Sequence, residues 1–129
     1  MGHPNEERIR TGYEAFSKAD MEAVSEFFAD DIVWHVGGQN PLSGDYRGKD
    51  EVFGFFANLV QLTGGTFSLD IHDVLANDEH GVALVTTRAE REGKKLEERA
   101  THVFHLKDGK TTEFWGFGED DRAVDEFFS

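Results

Sequence analysis

The sequence predicts an α+β fold in which helices cover one face of a mostly antiparallel sheet. Apolar residues recur at helical spacing through the first half of the 129-residue chain and at a period of two through the second half. Helices followed by a run of strands build separate layers rather than alternating βα units. Turn pairs at Glu92-Gly93 and Asp108-Gly109 divide the later strands, and Asp-Gly is among the strongest short hairpin signals. No repeat, low-complexity stretch or linker interrupts the chain, so a single domain is expected over residues 1–129.

Pro4 suits the first turn of a helix and Glu6 and Glu7 suit its positive end, with Ile9, Tyr13 and Phe16 on one stripe, so the first helix is expected over 5–18. Asp20 caps a second helix carrying Met21, Val24, Phe27 and Phe28 and ending near Asp30. The branched and aromatic run at 32–36 is a strand, and residues 37–48 form an irregular loop with Asn40-Pro41 and Ser43-Gly44-Asp45. A third helix over 49–62 carries Val52, Phe55, Phe56, Leu59 and Leu62 and stops at Gly64-Gly65. Strands follow from Thr66, at 82–91, 96–107 and 111–117, and the tail from Glu119 folds into a short docked helix.

Composition removes several functions. The chain has 26 Asp plus Glu against 13 Lys plus Arg, a net charge of −13 and no cysteine. The acidic excess disfavours nucleic acid, whose binding requires clustered cations. Without cysteine there is no thiol catalysis and no thiolate metal site. No apolar run approaches the ~20 residues of a membrane span, and the charged N-terminus lacks a signal-peptide pattern, so no membrane partner and a cytoplasmic location are expected. The charge falls on helix starts, outer helix faces, turns and the tail, and so reads as a surface property. Twelve Phe, two Trp and two Tyr must fill a core or line a pocket.

Hairpin register decides which side chains share a face. A two-residue loop at Asp108-Gly109 pairs Leu106 with Thr111, Phe104 with Glu113, His102 with Trp115 and Ala100 with Phe117. A loop at Glu92-Gly93 pairs Val85 with Ala100 and Ala83 with His102. This register puts Phe104, Trp115, Phe117, His102 and Glu113 on one face with small neighbours, a half-lined pocket. The helices then bring Tyr13 and Phe16 over it, and the strand at 32–36 closes one side with either Trp34 or His35. Simple alternation turns His35 outward, toward a dimer interface. The opposite face carries Arg88, Glu97, Arg99, Thr101, His105 and Thr112, polar enough to meet water or a second subunit.

The segments Tyr13 to Phe16 (YEAF), Phe27 to His35 (FFADDIVWH), Pro41 to Gly48 (PLSGDYRG), Val103 to Lys110 (VFHLKDGK) and Glu113 to Trp115 (EFW) resemble the nuclear transport factor 2-like superfamily, in its SnoaL-like polyketide cyclase and ketosteroid isomerase-like branch. The resemblance covers nearly the whole chain. It implies a cystatin-like α+β roll, three helices on a curved sheet around a cone-shaped pocket, and a homodimer through the outer sheet face. That fold hosts isomerases, cyclases, dehydratases, hydrolases and non-enzymes. In ketosteroid isomerase an Asp base works with a Tyr and a protonated Asp. By position the Tyr falls on Tyr13, the second acid on His102 or Thr101, and the base at or beside Val36, which cannot accept a proton.

The residues and the resemblance together point to a cofactor-free enzyme acting by proton transfer on a small hydrophobic, cyclic carbonyl or epoxide compound. His102 moves the proton, Glu113 sets its tautomer or lies solvated at the rim, and Tyr13 donates to an oxyanion. Trp34, Trp115, Phe104, Phe117, Phe16 and His35 are the candidate substrate-binding residues. The rival readings are a binding module with the same pocket and a dimerisation unit with a filled one. No metal is expected: His102 and His105 point to opposite faces, and no helix carries a His pair at i, i+4.

Overall fold

The computed structural model describes residues 3–129; Met1 and Gly2 lie outside them. Helix α1 (Pro4–Ser17) begins with Pro4 at its first position and is capped by His3, whose ring nitrogen accepts from the Asn5 amide while Glu6 reaches back to the His3 amide. Helix α2 (Met21–Glu26) is capped by Asp20 as expected. It is shorter than the sequence suggested, because the chain turns at Phe27 and enters strand β1 (Phe28–Val36) four residues early. Strand β2 (Gly44–Arg47) lies inside the segment expected to be irregular and pairs antiparallel to β1, Asp45 opposite His35 and Tyr46 opposite Trp34. Helix α3 (Gly48–Leu62) buries Val52, Phe55, Phe56 and Leu59, the predicted stripe.

Four strands follow: β3 (Ser68–Ala76), β4 (His80–Arg91), β5 (Lys94–Lys107) and β6 (Lys110–Gly118). Helix α4 (Asp121–Phe127) ends the chain with Phe127 and Phe128 buried. The sheet runs β2-β1-β6-β5-β4-β3, antiparallel except where β1 lies parallel to β6. Both tight hairpins form where expected, with φ of 51° and 80° at Glu92 and Gly93 and 53° and 79° at Asp108 and Gly109. Two consecutive positive φ values are the type I′ geometry that matches strand twist.

The β4–β5 register is the predicted one, Val85 opposite Ala100 and Ala83 opposite His102. The β5–β6 register is not. Leu106 faces Thr111, but the ladder then shifts by one, and His105 pairs with Glu113, Phe104 with Phe114, Val103 with Trp115, His102 with Gly116 and Ala100 with Gly118. An extra residue in one strand inverts the parity of everything beyond it. Glu113, Trp115 and Phe117 therefore turn to the outer face, and Phe114, Gly116 and Gly118 take the helix-covered one.

Helices α1 and α3 cover that inner face. Ile9 is fully buried over Gly81, where any Cβ would collide with the Ile9 side chain, so glycine lets α1 approach β4 closely. Asp125 of α4 accepts from the Gln39 amide and the Asn40 side chain, both at 2.8 Å, tying the C-terminal helix to the loop after β1. Among the described residues no helix is long and apolar enough to cross a membrane.

Candidate functional site

Between the helices and the inner face lies a cavity of about 550 Å³, within the ~300–1,000 Å³ common for small-molecule sites. Tyr13, Phe16, Trp34, Phe104 and Phe114 line it, and Trp34 stacks on Phe114 with ring centroids 3.6 Å apart. The floor stays open because β5 and β6 contribute Ala100, Gly116 and Gly118 side by side. The exposed lining residues, Gly37, Asp45, Phe117, Gly118 and Asp121, mark the mouth at the ends of β1 and β6.

Tyr13, four residues after Ile9 on the same helix stripe, reaches His102: its hydroxyl lies 2.5 Å from His102 Nδ1. Burial drives both groups toward neutrality. It raises the phenol far above its ordinary value and lowers the imidazole to about 4. The Tyr13 hydroxyl has no other partner among the described residues, so it donates to Nδ1 and the imidazole proton sits on Nε2. Among the described residues no group bonds Nε2, which leaves one N–H donor for a cavity occupant.

The second polar group is Glu98, which the sequence reading passed over although the same register places it on the face of His102, four residues away. It is 7% exposed, and its Oε2 accepts from the Asp120 amide at 3.1 Å. Burial, and then the neighbouring Asp121, Glu119 and Asp120, raise its pKa against that hydrogen bond.

The predicted partner of His102 is elsewhere. Glu113 lies on the outer face and bonds His35 Nε2 at 2.6 Å, while Asp45 bonds His35 Nδ1 at 2.7 Å. His35 stacks on Trp115, which in turn meets His105 edge-on. The one-residue shift in β6 separates Glu113 from His102 and turns the Trp115 side chain outward, and Tyr13 is the residue that bonds the His102 ring instead. His35 and Trp115 border the cavity at the level of the sheet while their side chains pair on its other side, and Phe117 reaches only the rim. Trp34, rather than His35, turns inward. Among the described residues no three His, Asp or Glu side chains converge as a metal site; both nitrogens of His35 are occupied by carboxylates.

The family model for the SnoaL-like domain matches residues 9–114. An uncharacterised protein of Mycobacterium tuberculosis H37Rv, Rv0034, is 30% identical over 122 residues, 94% of this chain and 93% of its own length. Bal32a, from a soil-derived mobile gene cassette, is 33% identical with a TM-score of 0.93 over 97% of this chain and 96% of its own. TerC, solved in co-crystals with polyporic acid, shares the fold at 22% identity and a TM-score of 0.86, over 98% of both chains.

Proposed function

The chain belongs to the SnoaL-like family, and on that premise we propose that it is a cofactor-free enzyme of acid–base type acting on a small, hydrophobic, cyclic carbonyl or epoxide compound. One observation carries this reading: a neutral histidine, held by Tyr13, presents an unpaired N–H into an aromatic cavity. The substrate oxygen lies against His102 Nε2. As negative charge builds on that oxygen, the N–H strengthens its hydrogen bond, and the Tyr13 hydroxyl keeps the ring in the donating tautomer. A donor fixed in a water-poor site stabilises developing charge without reorganising. The aromatic walls supply binding area.

A second reading is a binding module, favoured by the fact that among the described residues no carboxylate bonds His102 to complete an acid–base pair. Deuterium exchange separates the two. With 2-tetralone as a bicyclic ketone probe in D2O, solvent takes the α-proton while the His102 Nε2–H holds the developing enolate oxygen, so the enzyme accelerates loss of the α-proton signals in NMR, and His102→Ala lowers that acceleration by about 10²- to 10³-fold, as removing an oxyanion donor does. Full exchange in His102→Ala sinks the assignment of His102. Binding without accelerated exchange in the wild type establishes the module.

The reading includes a homodimer through the outer sheet face. Its support is an apolar strip of half-buried Val103, Leu84 and Trp115 with Phe117 and Leu75, 57% and 53% exposed. Light scattering is expected to give twice the 14.5 kDa chain mass, and Val103→Glu to give the monomer; a monomeric wild type refutes it.

A further inference from the structure

Glu98 is the one buried carboxyl of the cavity, and the acid–base reading gives it no task. It shares the inner face of β5 with His102 at a separation of four residues, which puts their Cα atoms about 13 Å apart. His102 lies over Gly116, while Glu98 lies over Gly118 at the mouth. Between them the floor is Ala100 and the two glycines, with no side chain beyond a methyl group. A molecule lying along this floor meets an N–H donor at its inner end and a carboxyl at its outer end. Glu98 Oε1 has no hydrogen-bond partner and Glu98 no cation partner among the described residues. The charge around it is also one-sided: Asp121 lines the same mouth, Glu119 and Asp120 are close by, and no Lys or Arg is among the lining residues.

We propose, resting on the acid–base reading for the His102 end, that Glu98 is a second ligand anchor and that the cavity takes elongated aromatic compounds with a carbonyl at one end and a hydroxyl at the other, rejecting anionic ones. The hydroxyl donates to Glu98 Oε1. A ligand carboxylate at that place meets Glu98 and Asp121 with no Lys or Arg in the lining to offset them, which buried like charges make costly. A molecule without the second polar group leaves Glu98 Oε1 desolvated and unpaired.

Four biphenyl probes test this by titration calorimetry: 4-acetylbiphenyl and its 4′-hydroxy, 4′-amino and 4′-carboxylate derivatives. The wild type is expected to bind the hydroxy compound about tenfold tighter than the parent, the amino compound between them, and the carboxylate at least tenfold weaker. Glu98→Gln brings the hydroxy compound to within about twofold of the parent and recovers part of the carboxylate binding. Gly118→Ala is the second variant: its Cβ would lie 2.5 Å from Glu98 Oε1, so it displaces the carboxyl without removing it, and the hydroxyl preference is lost while the carboxylate stays rejected. Equal binding of hydroxy and parent compounds by the wild type, or discrimination that survives both variants, overturns the proposal. The carbonyl end is judged separately. Tyr13→Phe and His102→Ala weaken all four probes alike if that end is read correctly; if they change nothing while Glu98 still discriminates, the His102 reading falls and the Glu98 anchor stands. A wild type that binds none of the four overturns both.

Discussion

His102 on β5 and His35 on β1 belong to one sheet and to opposite faces of it, and their surroundings push proton affinity in opposite directions. His102 faces the cavity with a phenol as its one partner; burial lowers its pKa to about 4, and it stays neutral. His35 sits under Trp115, a carboxylate on each ring nitrogen, and the Glu113 hydrogen bond, ahead of Asp45, raises its pKa despite some desolvation. The residue type and the sheet are the same. Burial decides the one and carboxylates within reach the other: His102 is held neutral, and His35, a staple between strands, is drawn toward its protonated form.

The largest way to break this comparison is to acidify the protein. A histidine with a depressed folded pKa binds fewer protons folded than unfolded, so the unfolded state gains as pH falls from the ordinary value of ~6.5 toward 4. Between pH 7 and pH 4.5 this group alone costs roughly 2–3 kcal/mol of stability. His102→Leu removes the titration and fills the same volume with apolar atoms, so urea unfolding is expected to show that much less loss over this interval than the wild type. Identical losses in the two proteins would mean that the imidazole is solvated or charged in the folded state, and the neutral donor of the proposed mechanism would go with it.

What separates the two faces was legible for both histidines, since strand alternation turns His35 outward and hairpin register turns His102 inward, and not for Glu113. The β4–β5 hairpin joins its strands by a two-residue loop with no irregularity, so counting from Glu92-Gly93 places His102 correctly, and the same count reaches Glu98. Glu98 lies in the charged run Glu97-Glu98-Arg99, whose composition alone looks like a solvated face, and only the register sets it apart. Glu113 was misplaced for a tertiary reason. The Thr111 amide donates to the Phe27 carbonyl at 2.7 Å, and β1, arriving parallel, pairs Phe28 with Thr111 and Val33 with Glu113. The shift in β6 thus occurs where a segment more than 80 residues earlier in the chain docks, and no local turn signal reports it. The edge strand β2 was hidden likewise, since Gly44 and Asp45 read as turn residues until β1 offers them a ladder. The acidic surplus is mostly surface, yet the buried carboxyl that lines the cavity is Glu98 rather than Glu113.

The smaller test sharpens the outer half of the comparison. A histidine whose folded pKa is raised binds more protons folded than unfolded, so its contribution is complete below ~6.5 and is lost as pH rises through the folded value. Glu113→Gln keeps the shape of the contact and removes its charge, so the His35 ring is expected to titrate lower in NMR and the protein to lose less stability between pH 6 and pH 8 than the wild type does. His35 is a quarter exposed and Glu113 a third, at 25% and 34%, so solvent screening limits the difference to less than ~1 kcal/mol, shrinking as salt is added. An unchanged His35 titration in this variant would move the cause to Asp45 across the edge of the sheet, and the staple would then join β1 to β2 rather than β1 to β6.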